Sequence, residues 1–376
     1  MRNRSNIFVM QKVQNIFISL WDKIDNVMLK HREMKTYENV LTGYMKMLPD
    51  RKKLTKAQKE EIQHFYKGLI GRKVSLYSHE YFYSRSGVFA KEYVPTNLYY
   101  SDLLPKANKK SVQVVYCDKN MLDVLIPDER VAHVFLKCMN GFYYYEGRSV
   151  TREDAMSLCE NLGAVIVKPS LASKGRGVQK LTIKNGKVEE SGETLDQLLK
   201  SYGKNFNIQE CIVQHERMAA LNPTSVNTIR VLSYRFDEEV VIVYAVVRIG
   251  RLGKIIDNQS AGGISTTIDA EGKLGKYAVA GSKINNLEKT DTGVVLDGYQ
   301  LPSYDKAMAM VKRMHTHFPY SRILGWDIAI DQIGDPILVE LNTRPGLSQS
   351  AFGSGMGEYT ERIIRDLWPR PNTKWK

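Results

Sequence analysis

Apolar positions recur along this chain in two periods, one helical and one extended. Over residues 6 to 30, Ile7, Met10, Val13, Phe17, Leu20, Trp21, Ile24 and Met28 follow steps of three and four, which predicts an amphipathic helix. Thr55 stands where an N-cap belongs, ahead of a helix over Lys56 to Gly68 that Gly71 closes, and Val74 to Tyr77 reads as a strand. Val112 to Tyr116 and Val131 to Leu136 also read as strands, with a helix from Asp118 through Leu125 between them. Thr151 caps a helix over Glu153 to Leu162 that stops at Gly163. There follow a strand over Ala164 to Val167, a Gly-rich turn, a strand over Gln179 to Ile183, a helix over Leu195 to Tyr202 and a strand over Phe206 to Gln214. Asn227 to Tyr234 and Val240 to Ile249 form a long apolar strand region, Asn258 to Thr267 and Asp269 to Gly275 read as hairpin turns, and Tyr304 to His315 and Glu358 to Leu367 as helices. The mixture argues for an α/β fold.

Between the last two helices lies Gly325 to Gly346, GWDIAIDQIGDPILVELNTRPG. Ile328 to Ile330 and Pro336 to Val339 are β-prone, and Gly334-Asp335 between them signals a hairpin. Glu340 and Asn342 are two apart and share a strand face, where Asp327 at the start of the partner strand joins them. Three hard oxygen donors suit Mg²⁺, which takes its other ligands from water and nucleotide phosphates. A polar hairpin edge is the other reading of the same stretch.

Lys168 ends the strand Ala164 to Val167 and is followed by Pro-Ser-Leu-Ala-Ser-Lys-Gly-Arg-Gly-Val. A Gly-rich turn between two strands offers backbone N–H groups and cations to a polyphosphate. It is not a GxxxxGK[ST] loop, whose strand leads into a helix. Gln209 and Glu210 sit inside apolar company, where a charge needs a partner. His315 and His317 have no third ligand at metal spacing, so surface or cap roles fit them better.

Composition adds limits. With 376 residues, 43% hydrophobic and 25% charged, the chain supports two or three packed modules. Of the net charge of +13, residues 1 to 75 carry 9, from 16 Lys/Arg against 7 Asp/Glu, so the basic character belongs to the front end. Cys117, Cys138, Cys159 and Cys211 are far apart with no CxxC pair, which reads as reduced thiols in a cytosolic protein. Polar residues interrupt Ile7 to Leu29, which therefore neither spans a bilayer nor resembles a signal peptide. With its basic flanks it suits an anionic membrane surface, its own protein or a second subunit. The dense tyrosines from Tyr77 to Tyr100 lack any nucleic-acid-binding pattern, and read as a packed or sugar-facing surface.

Taken in order, these residues resemble the ATP-grasp superfamily, and within it the sugar-transfer-associated group. Asp118-Lys119 is similar to the superfamily's DK helix start. Val167-Lys168-Pro169 with Ser173, Lys174, Gly175, Arg176 and Gly177 resembles its lysine strand and phosphate-covering loop. Gln209-Glu210-Cys211-Ile212 resembles the strand that reads adenine, and Asp327 with Glu340 and Asn342 the magnesium triad. Asn-Thr-Ile-Arg at 227 to 230, the Asn258 to Gly263 turn and Asn-Thr-Arg-Pro-Gly at 342 to 346 resemble the sugar-transfer group and the α-L-glutamate ligases. The resemblance spans about residues 50 to 370 and is strongest from 164 to 347.

It implies an ATP-grasp fold of the α+β class, two α+β subdomains clamping ATP behind a helical, basic N-terminal segment. The expected divisions are 1–75, 76–150, 151–225 and 226–376. Lys168 is then expected on the α/β phosphates, the loop amides from Ser173 to Val178 over the β/γ phosphates, and Cys211 and Ile212 backbone at the adenine edge. Glu210 would accept from the adenine amino group, Glu216 would reach the ribose in competition with Gln214 or His215, and Lys137 would be the second, upstream lysine. One or two Mg²⁺ would sit on Asp327, Glu340 and Asn342, with Arg230, Arg248 and Arg344 at the γ phosphate. The implied activity is an ATP-dependent carboxylate–amine ligase working through an acylphosphate in cell-surface glycan biosynthesis, with a carboxylate substrate and an amine co-substrate. A sugar-hydroxyl kinase and an ATP-binding scaffold docked through residues 6 to 30 are the alternatives. No nucleic-acid partner is expected. A homodimer and a cytoplasmic place, peripheral to the inner membrane face, are.

Overall fold

A computed structural model describes residues 36–369 apart from 38, 47, 49, 174, 256, 258–261, 281–282 and 350–354. The helix expected over 6 to 30, Lys174 and the first residues of the turn at 258 lie outside the described residues.

Helix α1 (Lys56–Ile70) starts on a capping box, in which Thr55 accepts from the Gln58 amide while the Gln58 side chain accepts from Thr55. Gly71, at φ 73°, closes it. The strand expected over Val74 to Tyr77 is absent: the Gln63 side chain holds both the N–H and the C=O of Val74, so no ladder partner is needed, and Tyr77 opens α2 (Tyr77–Ser86). Val112 to Tyr116 is likewise not a strand, but a 3₁₀ turn leading into α3 (Gln113–Cys117). Tyr116 is buried edge-on against Phe318, while Val114 is 65% exposed. Asp118 caps the turn Lys119–Met121, which runs into α4 (Leu122–Leu125).

The first sheet contains β1 (Val134–Met139), β2 (Phe142–Tyr145), β3 (Arg148–Val150), β4 (Gly163–Pro169), β5 (Gln179–Lys184), β6 (Lys187–Val188) and β7 (Phe206–Glu210). It is antiparallel throughout, in the order β3-β2-β1-β7-β4-β5-β6. Helices α5 (Arg152–Leu158) and α6 (Leu195–Tyr202) share a core with Leu136, Val165, Val167 and Ile208. Because β1 to β3 pair into this sheet, the division expected at 150/151 falls inside it. β1 begins three residues later than the expected strand and carries Lys137 in its middle; β7 stops at Glu210 rather than Gln214. Helix α5 ends earlier than expected, and Gly163 opens β4 instead of capping a helix.

Helix α7 (Glu216–Leu221) leads to the second sheet, β8 (Thr228–Arg235), β9 (Val240–Ile249), β10 (Ile264–Thr267), β11 (Ala278–Ala280), β12 (Lys283–Leu287), β13 (Ile323–Ile330) and β14 (Pro336–Asn342). Its order is β12-β11-β10-β9-β8-β13-β14, again antiparallel in every pairing among the described residues. Side chains alternate across it. Ile229, Val231 and Trp326 pack on α8 (Tyr304–His315) through Met310, Val311 and Met314. Leu232, Tyr234 and Val246 face α1 and the final helix α9 (Thr360–Leu367). Arg230 and Thr228 share the latter face, so its polar end is left for a site. The β13–β14 turn is wider than Gly334-Asp335 alone: the Asp331 carboxylate accepts from the amides of Ile333 and Asp335. Among the described residues no helix is long and apolar enough to cross a membrane.

Candidate nucleotide and metal site

A cleft of about 130 Å³ is walled by both sheets. The first sheet contributes Ile166, Lys168, Gln209 and Glu210, the loop after β4 contributes Gly175, Arg176 and Val178, and the second sheet contributes Thr228 and Glu340.

Two lysines point charge into it. Lys168 is buried near the end of β4, and burial first, then the neighbouring Lys119 charge, lower its pKa to about 7 against the pull of Glu340. Lys119 donates to Ala172 O at 2.7 Å and lies 3.3 Å from Glu340 Oε1, so it ties the glycine loop to the hairpin. Lys137, the upstream lysine expected beside Lys168, is not on the wall. It flanks Asn207 opposite Lys168, and both oxygens of Asp123 hold its ammonium at 2.5 and 2.6 Å. Lys119 lines the cleft beside Lys168 instead. Its dipeptide reads as a helix cap, and nothing local distinguishes its ammonium from an exposed one.

The glycine loop is partly closed on itself. The amides of Arg176 and Val178 lie 3.4 Å from Ser173 O and Gly175 O, and Tyr202 Oη donates to Gly177 O at 2.9 Å. A Cβ on Gly177, at φ 71°, would stand 2.9 Å from Pro169 Cγ, so the turn needs glycine there. Ser173 and Gly177 are off the cleft wall.

At the adenine end, Gln209, Glu210 and Ile212 line the cleft, and Cys211 does not. Glu210 Oε1 already accepts from the His133 amide at 2.8 Å. Burial pushes the Cys211 thiol up, which keeps it protonated. None of the three ribose candidates reaches the wall. Glu216 is exposed on the first turn of α7, His215 caps that helix, and Gln214 brackets the 222–227 loop by accepting from Asn227 N and donating to Ser225 O, both at 2.7 Å.

On the second sheet Asp327 pairs in register with Glu340 on one side and Arg230 on the other. Arg230 grips both Asp327 oxygens, at 2.5 and 2.7 Å, and Arg248 lies 3.4 Å away. Burial alone would raise the Asp327 pKa and lower that of Arg230; their mutual charge reverses both. Arg230 and Arg248 thus face a carboxylate rather than the open cleft. Arg344 is exposed on the loop after β14, 6.0 Å over the Tyr100 ring. Asp257 also lines the cleft and accepts from Thr228 Oγ1; burial, opposed by Arg248, raises its pKa to about 6. Thr228 belongs to the Asn-Thr-Ile-Arg run at 227 to 230, whereas Asp257 carries no sequence signal beyond its place before a polar turn.

Glu340, which stands on the wall, offers a carboxylate to a magnesium ion, and Asn342, two residues on along the same strand face, would offer its amide oxygen. Asp327 and Asn342 are off the cleft wall, and both Asp327 oxygens accept from Arg230 and, at 3.4 Å, from Arg248. Among the described residues no three His, Cys, Asp or Glu cluster to hold an ion by themselves. Magnesium does not demand such a cage, since it keeps water and phosphate ligands.

Two antiparallel sheets around a cleft, a lysine strand with a glycine loop on one and an acidic hairpin on the other, define an ATP-grasp protein. More narrowly, the model of the sugar-transfer associated ATP-grasp family matches residues 99–364, and the chain belongs to that family. Solved structures similar to it include the ATP-grasp ligase PsnB complexed with minimal precursor, 14% identical over 69% of this chain and 62% of that one, at a TM-score of 0.39. The VanG D-Ala:D-Ser ligase from Enterococcus faecalis is 13% identical over 67% of this chain and 61% of its own, at 0.40. D-cycloserine synthetase DcsG is 14% identical over 67% and 69%, also at 0.40. The chain thus spans about three fifths of the length of the first two. No curated protein matches it.

Proposed function

We propose that this protein is an ATP-dependent carboxylate–amine ligase acting on an acid of cell-surface glycan biosynthesis. The observation that carries the reading is the convergence of Lys119, Lys168 and Glu340, from three separated parts of the chain, on one cleft roofed by a glycine loop. In the proposed reaction a substrate carboxylate oxygen attacks the γ-phosphorus of ATP, and the bond to ADP breaks. An amine then attacks the acylphosphate carbon, orthophosphate leaves, and the nitrogen loses a proton. Phosphoryl transfer of this kind is governed by position and charge neutralisation. Lys119 supplies positive charge to the polyphosphate, Lys168 takes up its proton fully as phosphate charge approaches, and the loop at 173–178 covers it. Gln209, Glu210 and Ile212 bound the base. Arg230 and Arg248 hold Asp327 in place and set a positive field at the acid. Mg²⁺, held by Glu340 and Asn342 with Asp327, would neutralise phosphate charge.

The test is phosphate release from ATP with panels of sugar acids and amines, beside a Glu340→Gln control. The expected result is release dependent on both co-substrates and lost in the control, with an amide product by mass spectrometry. A phosphate ester would instead make the protein a hydroxyl kinase, and equal release by the control would end the reading.

A further inference from the structure

A ligase needs a place for its acid, and the polar groups that the nucleotide cleft leaves unused lie together beyond Asp327. Alternate residues share a strand face, so Arg248, Val246 and Tyr244 on β9 lead away from the cleft alongside Thr228, Arg230 and Leu232 on β8. At the far end the loop after β14 is strapped from two sides. Tyr244 Oη accepts from Ser348 N at 2.8 Å and donates to Gly346 O at 3.3 Å, and Tyr99 Oη donates to Pro345 O at 2.8 Å. Tyr99 and its neighbour Tyr100 belong to the helical N-terminal part, Tyr99–Leu103, so that part and the metal hairpin build one corner together.

Tyr100 is the group in this corner with chemistry to spare. Its ring stacks on Tyr37, 4.3 Å between centroids and 7° between planes, and carries the Arg344 guanidinium 6.0 Å from its centre. Its hydroxyl lies 3.4 Å from where a Cβ on Gly346 would stand, and among the described residues it makes no hydrogen bond. Burial, with Tyr37 and Tyr244 nearby, pushes its pKa up to about 12, so the phenol stays a neutral donor. Arg344, Arg248 and Tyr100 all donate, and the Asp327 carboxylate nearby is already gripped by Arg230. A corner of donors selects an oxygen-rich anion.

Resting on the ligase reading, we propose that this corner is the acid subsite: Arg248 and Arg344 steer the carboxylate, and the Tyr100 hydroxyl reads an oxygen on the body of a polyhydroxylated ring acid. Tyr37 positions the Tyr100 ring by stacking and does not touch the acid.

The full-length protein, titrated calorimetrically with glucuronate and with cyclohexanecarboxylate as probes, tests this. Glucuronate is expected to bind, and the ring acid without hydroxyls to bind at least about tenfold more weakly. Tyr100→Phe keeps the stack and removes one hydrogen bond, so it raises the glucuronate Kd by roughly three- to tenfold. Arg344→Gln raises it more, and ADP affinity, unchanged in both variants, shows that they fold. No glucuronate binding, equal binding of the two acids, or an unchanged Kd in Tyr100→Phe overturns the subsite. Glucuronate binding with the predicted losses, but no hydroxamate when ATP and hydroxylamine are added, keeps the subsite and rejects the ligase reading instead.

Discussion

Lys119 joins three things that a nucleotide site must coordinate. Its ammonium holds the backbone of the glycine loop at Ala172, neighbours Lys168, and pairs with Glu340 on the hairpin. Charge-assisted hydrogen bonds are worth roughly 1.5–3 kcal/mol, so Lys119→Met is expected to weaken ATP binding by about ten- to a hundredfold. Fluorescent-nucleotide titration measures this, and an affinity within twofold of wild type would remove Lys119 from the site. Lys168 was legible because a strand end fixes a side chain. Lys119 was not, because a turn of 3₁₀ helix hides which way its ammonium points. Lys137 misled for a related reason. It was expected at the end of its strand, whereas β1 runs on to Met139 and hands it to Asp123. Asp327, Glu340 and Asn342 were placed together by period-two spacing alone. What spacing does not encode is the Arg230 fork, which depends on β8 pairing with β13 across 97 residues.

At the scale of elements, the hairpin β13–β14 is held close to its exit loop at Gly325. A Cβ there would stand 2.7 Å from Pro345 Cβ. Gly325→Ala therefore pushes the 343–346 loop outward, with an expected destabilisation of about 1–3 kcal/mol and a higher KM for the acid. Chemical denaturation and acid titration check the two effects. Between α8 and the sheet, His315 is fully buried: its Nε2–H faces Ser321 O at 3.0 Å and its Nδ1 accepts from Ser233 Oγ, which in turn accepts from Trp326 Nε1, each at 2.7 Å. Burial lowers the pKa of His315, and also of His79, from 6.5 to about 4. The unfolded chain binds these protons first, so their contribution is complete above pH 6.5 and is lost as pH falls toward 4, about 3 kcal/mol for each. Asp257, raised to about 6, works in the opposite direction over the same window. In urea titrations at pH 7 and pH 4.5, His315→Gln is expected to show a smaller loss on acidification than wild type. Equal losses would remove His315 as a source. Several elements were legible: Leu195–Tyr202 forms where apolar period and a Thr194 capping box agree, and Val240–Ile249 and Tyr304–His315 form where the apolar period runs unbroken. Val112 to Tyr116 was not, because a β-branched run looks like a strand in any local window, whereas here it coils into a short helix packed against β14.

On the scale of the whole molecule, the site is a meeting of distant pieces. The helical N-terminal part, the first sheet and the second sheet each deliver residues that are silent alone. Local patterning pointed to mixed α and β structure, but the antiparallel pairing of both sheets and the union of β1 to β3 with β4 to β7 are non-local facts that no window of sequence contains. The motif order supplied what local patterning did not, since the lysine strand, loop and acidic hairpin make sense together only if they face one cleft. In the second shared region Tyr99 and Tyr100, which belong to none of those motifs, close on Pro345 and Gly346 at the end of the hairpin motif.

The central claim is that this cleft uses ATP to activate a carboxylate. Its most direct measurement is hydroxylamine trapping, with ATP, Mg²⁺ and a sugar-acid panel, following hydroxamate and ADP together. The account predicts equal amounts of the two with wild-type protein, and neither with a folded Glu340→Gln variant. ADP formed without hydroxamate, or hydroxamate formed as well by Glu340→Gln, would contradict it.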